Sequence, residues 1–162
     1  MPARNPKLRP PARLARTLAR LRAQGKKIVF TNGCFDLLHP GHVRLLRQAK
    51  KLGDVLVVAL NDDASVRRLK GKGRPILPLR DRCEVLSALE AVDYVTFFSE
   101  DTPERLVRLF APDVLVKGAD WRGKEIAGAS YVRKAGGRVR LLPYRSGYSS
   151  SDLVRKIREA RV

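Results

Sequence analysis

Two cysteines, two histidines and one tryptophan are all that this 162-residue chain holds of those types, and aromatic residues make up only 6% of it. Cys34 and Cys83 share no zinc-ligand or redox spacing, so no disulfide framework is expected, and both read as reduced thiols of a cytoplasmic protein. With no third His and no paired Cys beside them, the two His are too few for a zinc centre, and no protein-held metal is expected. No apolar run approaches bilayer-spanning length and no secretory h-region opens the chain, so no membrane partner is expected. Acid is the other shortage: 16 Asp and Glu stand against 34 Lys and Arg, a formal net charge of +18. Such a balance attracts polyanions. Half of that excess is local, however, since residues 1–27 hold nine Lys and Arg and no acid. The aromatic strand with which RNA-binding sheets stack bases is missing, so no specific nucleic-acid partner is expected.

What is present is an alternation of apolar runs and helical periods. Residues 1–11, rich in Pro and basic, read as a mobile arm. Leu14, Leu18 and Leu21 recur at helical spacing up to Gly25. Residues 1–25 therefore form a basic arm and helix, and 26–162 a single domain. Strands are expected at 27–31, 55–60, 94–98, 114–117 and 139–142, and helices at 41–52, 62–69, 81–91, 129–135 and from 149 or 150 to about 161. Thr102-Pro103-Glu104 supplies an N-cap, a first-turn proline and an acid for one more helix. The unbroken run Val55–Leu60 suits a strand covered on both faces. The class is α/β: a single doubly wound, Rossmann-like, five-stranded parallel sheet with helices on both faces. In such sheets ligands sit beyond the carboxyl ends of the strands.

The stretch Thr31-Asn32-Gly33-Cys34-Phe35-Asp36-Leu37-Leu38-His39-Pro40-Gly41-His42 lies at one of those ends. It is a strand, a tight turn and a helix start carrying two imidazoles three residues apart, which places them on one helix face. Free N–H groups at a helix start attract anions, and Gly33 and Gly41 admit close approach of a ligand. Three further segments fall on the same side: the basic loop Lys70-Gly71-Lys72-Gly73-Arg74, the strand end Lys117-Gly118-Ala119-Asp120, and the hydroxyl-rich helix start Ser149-Ser150-Ser151. Each has a plain structural reading as a solvated turn or a cap, and a functional one as part of a phosphate site.

The stretch resembles the signature GxFDxxHxGH of the cytidylyltransferase-like nucleotidyltransferases, matched at Gly33, Phe35, Asp36, His39, Gly41 and His42. The likeness spans roughly residues 26–160. It is nearest to the nucleotidyltransferase domain of the bacterial ADP-heptose synthases, through 31–33, 49–54, 68–71, 86–93, 100–103, 115–120 and 125–128. The glycerol-3-phosphate cytidylyltransferases differ: they carry Arg where this chain has Glu90, and Arg-Thr-Glu-Gly where it has Tyr144-Arg145-Ser146-Gly147.

The resemblance implies transfer of AMP from ATP to D-glycero-β-D-manno-heptose 1-phosphate, with Mg²⁺ carried by the nucleotide phosphates, by a stand-alone homodimeric enzyme without the fused sugar kinase of many relatives. His39, His42 and Lys70 would be catalytic. Thr31, Asn32, Gly33, Cys34, Phe35, Gly41, Lys117, Gly118, Asp120, Ser149, Ser150 and Ser151 would bind the nucleotide. Asp36, Lys72 and Arg74 would clamp the acceptor phosphate or the triphosphate. Two alternatives stay open: a CTP-dependent transferase acting on glycerol 3-phosphate or a similar acceptor, and a nucleotide- or polyanion-binding module without turnover.

Overall fold

A computed structural model describes residues 5–143 and 149–160. The tetrapeptide 144–147, with its departure from the cytidylyltransferase pattern, lies outside the described residues, as does Tyr148. Strands β1 (Ile28–Gly33), β2 (Val55–Asn61), β3 (Tyr94–Phe98), β4 (Val114–Gly118) and β5 (Arg138–Leu142) form one sheet in the order β3-β2-β1-β4-β5. Every neighbouring pair is parallel. The chain winds outward from β1 in one direction through β2 and β3, then returns to place β4 on its other side. The crevice between β1 and β4 is therefore the switch point at which such sheets bind ligands.

The helices are α1 (Pro11–Ala23), α2 (Pro40–Lys50), α3 (Asp63–Lys70), α4 (Leu79–Ser87), α5 (Glu104–Phe110), α6 (Ala129–Lys134) and α7 (Ser150–Glu159). Strand alternation divides the core in two. Ile28, Phe30, Val57, Ala59 and Leu115 face a cluster completed by Leu14 and Leu18 of α1, Leu106, Val107 and Phe110 of α5, and Val132 of α6. Val29, Leu56, Val58, Leu60 and Val116 face a second cluster completed by Leu45, Leu46 and Ala49 of α2 and Cys83 and Leu86 of α4. With a layer on each side, all seven residues of β2 are buried, as its unbroken apolar run predicts. Among the described residues no helix is long and apolar enough to cross a membrane.

Two local expectations are corrected. The arm expected to be mobile is pinned over residues 7–9: Val95 donates its N–H to the Lys7 carbonyl at 2.9 Å, Arg9 N–H donates to the Val95 carbonyl at 3.0 Å, and the Lys7 ammonium donates to the Leu89 carbonyl. These bonds cover the open edge of β3, which would otherwise be unpaired. Thr102 does not cap α5; Pro103 holds the N-cap position, and its carbonyl accepts the first helical bond from Val107 at 2.9 Å. A proline there leaves the turn geometry to its own fixed φ.

Candidate active site

β1 ends in a sharp reversal. Phe35 adopts φ +46°, a left-handed conformation uncommon outside glycine, and its ring folds back so that a Cβ on Gly33 would lie 3.2 Å from it. Beneath the turn, Thr31 donates its hydroxyl to the Val116 carbonyl at 3.0 Å, tying β1 to β4 across the switch point. The reversal delivers His39 to the N-cap position of α2, with Pro40 in the first turn and His42 just behind.

The two imidazoles stack, ring centroids 3.7 Å apart, and Phe35 packs on His42 at 5.1 Å. Burial, with His39 and the Lys70 charge nearby, depresses the His42 pKa to about 3. His39 is also pushed down by burial, partly offset by the Asp152 carboxylate. At neutral pH His42 is thus an uncharged donor held against an aromatic wall.

Asp36 and Arg82 hold the loops around this pair. Asp36 is 5% exposed and accepts from the N–H groups of Ile76 and Leu77 at 2.8–3.0 Å and from the Arg74 guanidinium at 2.8 Å. Burial raises its pKa, but those donors outweigh it and pull the carboxyl below its ordinary value. Arg82, 1% exposed, donates to the carbonyls of Cys34, Asn61 and Leu77 and pairs with Asp63 at 2.7 Å. One guanidinium thereby fixes the ends of β1 and β2 and the 71–78 loop.

On the β4 side, Lys117 is buried beneath Trp121, its ammonium 4.6 Å from the ring centroid. Desolvation lowers its pKa to about 8 against the opposing pull of Asp120 and Cys34. Burial raises the Cys34 thiol, which argues against a thiolate nucleophile. Ser149 caps α7, its hydroxyl accepting from the Asp152 N–H at 3.0 Å and donating to the Asp152 carboxylate at 2.7 Å. Ser150 reaches the Leu37 carbonyl at 3.4 Å.

These groups surround a cleft of two adjoining chambers. The one against the start of α2, named the inner chamber for its contact with His39 although it is the more open of the two, measures about 410 Å³ and is walled by Thr31, His39, Gly118, Asp120 and Ser149. The outer one, about 450 Å³, is walled by Asp36, Leu69, Arg74, Asp101, Thr102 and Glu125. Asn32, Gly33, Cys34, Phe35, His42, Lys70, Lys117, Trp121, Ser150 and Ser151 line both.

The structure brings most of the expected residues to one place, with three differences. Lys72 is exposed and walls neither chamber. Asp36 is no clamp on a phosphate: a carboxylate repels one, and both its oxygens serve the neighbouring loop. Gly41 is buried in the first turn of α2, behind the chamber walls. Sequence reasoning missed Arg82, Trp121 and Glu125. For Arg82 the only signal was a basic residue on the apolar side of a helical period, beside Cys83 and Leu86.

The cytidylyltransferase-like family model matches residues 30–156. The chain is 54% identical over 155 residues to the bifunctional protein HldE of Gluconacetobacter diazotrophicus, covering 96% of this chain and 32% of that protein. It is 56% identical over 140 residues to the HldE of Hydrogenovibrio crunogenus, covering 86% of this chain and 29% of the relative. It thus spans about a third of the length of these curated relatives. The crystal structure of the lipopolysaccharide core biosynthesis protein from Thermoplasma volcanium GSS1 is similar at TM-score 0.62 and 32% identity, over 77% of this chain and 100% of that one.

Proposed function

From the premise that the chain belongs to the cytidylyltransferase-like family and is a nucleotidyltransferase, we propose that it moves AMP from ATP to D-glycero-β-D-manno-heptose 1-phosphate. The observation that carries this reading is the stacked His39–His42 pair, with His42, Lys70 and Lys117 on the wall shared by the two chambers and His39 on the inner one. The high identity to HldE proteins supports the choice of acceptor.

In this reading the polyphosphate lies in the inner chamber, its oxygens against the imidazole N–H groups, the Lys70 and Lys117 ammonium groups and the start of α7. An oxygen of the acceptor phosphate attacks the α-phosphorus in line; the bond to the β-phosphate oxygen breaks, and pyrophosphate leaves with that electron pair. The attacking phosphate is already anionic, so no strong base is required. The work of the site is to align two polyanions and neutralise charge as it builds. An uncharged His42 donates a hydrogen bond without first losing a cation's solvation.

Among the described residues no group of three or more His, Cys, Asp or Glu is arranged to hold a metal. Asp36, the buried acid of the cleft, is committed to its loop. These residues fit a magnesium ion that arrives on the nucleotide, where it neutralises phosphate charge. A homodimer is the assembly we assign to the chain, in keeping with the resemblance.

Pyrophosphate release, measured for ATP and CTP against heptose 1-phosphate and glycerol 3-phosphate, tests the reading. ATP with the heptose should turn over fastest, and His42→Ala should lower that rate on the order of 10²–10³-fold. Faster turnover with CTP or glycerol phosphate would replace the substrates but keep the chemistry. Binding without pyrophosphate release from any pair would leave only a nucleotide-binding module.

A further inference from the structure

Glu125 is out of character for its surroundings. It stands on the wall of the outer chamber, whose unpaired charged side chains, among the described residues, are otherwise the cations Lys70 and Lys117. Asp36 on the same wall is neutralised by Arg74, and Asp101 is paired with Arg68 at 2.8 Å. Glu125 has no ion pair and no hydrogen bond among the described residues. It comes from the loop before α6, whereas Lys70 ends α3, so two separate elements bring the carboxylate and the ammonium to one chamber. An unpaired carboxylate repels a phosphate but is a strong acceptor for hydroxyl groups, which donate to it.

Resting on the transferase reading above, we propose that the outer chamber is a pocket for a phosphorylated polyol, with Glu125 accepting from the polyol hydroxyls and determining acceptor specificity. The acceptor's phosphate is drawn to Lys70, on the shared wall where His42 stands. Its hydroxyl-bearing end extends toward Glu125 and the threonine hydroxyl of Thr102. Apolar Leu69 and Pro103 on the same wall cover the carbon faces of a sugar ring. The carboxylate has a second effect. It repels phosphate groups at its own end of the outer chamber, which keeps the acceptor's phosphate at Lys70.

Trp121 is the single tryptophan and lines both chambers, so its fluorescence reads occupancy without turnover. Titration of wild type, Glu125→Gln and Glu125→Ala with a heptose 1-phosphate, with methyl phosphate and with ATP separates the roles. Glu125 is exposed and bonded to nothing described, so both variants should fold. Each variant should bind the heptose 1-phosphate about tenfold or more weakly, as expected on loss of hydrogen bonds to a charged group. Methyl phosphate should bind the variants as tightly as wild type or more tightly, and ATP affinity should stay within about twofold. Heptose phosphate binding unchanged in both variants, or lost in parallel with methyl phosphate, would overturn the proposal. Binding that depends on Glu125 in a protein that releases no pyrophosphate would sink the transferase reading and leave this one standing. Turnover indifferent to Glu125 would do the reverse.

Discussion

His39 and His42 face each other as a stack, ring centroids 3.7 Å apart and planes inclined by 25°. Two imidazolium ions at that distance in a buried site repel strongly, so the stack does not hold both charges, and the neutral ring is His42. The His42 pKa of about 3 lies below the value of roughly 6.5 expected in the unfolded chain. Between those values the unfolded state binds a proton that the folded state does not. Stability from this group is therefore complete above about pH 6.5 and falls as the pH drops toward 3. Urea midpoints taken from pH 7 to pH 5 should decline in wild type and decline less in His42→Gln, which has nothing to protonate. Equal slopes in the two proteins would refute a neutral His42.

Asp36 gathers the 74–77 segment, and its substitution should loosen that segment more than the domain. Asn at this position still accepts from one backbone N–H but loses the Arg74 ion pair, and hydrogen bonds to charged groups contribute about 1.5–3 kcal/mol each. Local opening of this kind is read by proteolysis. In Asp36→Asn, trypsin should cut after Lys70 or Lys72 several times faster than in wild type, and turnover should fall about tenfold as the loop leaves the cleft. Unchanged cleavage would mean that the loop is held by something else.

Arg82 is costly to replace. Lys in its place offers one ammonium where the guanidinium serves three carbonyls and the Asp63 carboxylate. Breaking a buried pair and leaving carbonyls without donors costs about 3–5 kcal/mol. Denaturant unfolding of Arg82→Lys should show a loss of about 3 kcal/mol. A loss under about 1 kcal/mol would show that water restores those bonds.

The contrast between these residues explains what was legible in the chain before folding. The five strands, their parallel pairing and the site beyond their carboxyl ends followed from short-range signals: the apolar run of β2, the Gly-flanked turn after β1 and the Ser149 cap. Partners did not. Asp36 carries a signature position, yet its donors lie 38 to 41 residues away, and nothing in the local pattern distinguishes a carboxylate that faces substrate from one that anchors a loop. Arg82 and the 7–9 segment were missed for the same reason. Each is polar, and each is ordered by groups far along the chain, the Cys34 and Asn61 carbonyls for Arg82 and Leu89 and Val95 for the segment.

Lys117 supplies a pH test of the cleft itself. Burial lowers its pKa to about 8, so its ammonium is present below that value and lost above it. A bound polyphosphate stabilises the charged form, and above pH 8 binding must then take up a proton. Nucleotide phosphates have finished titrating by that point, so the ligand contributes no slope of its own. By linkage, ATP affinity should fall as the pH rises from 7.5 to 9.5, by up to about tenfold per unit beyond 8. Lys117→Met should bind ATP more weakly at pH 7.5 and show a flatter curve, because the titrating charge is gone. Trp121, 4.6 Å from the ammonium, provides the fluorescence signal in wild type, and calorimetry provides it in the variant. Parallel curves for the two proteins would place the polyphosphate away from Lys117, and with it away from the chamber between β1 and β4.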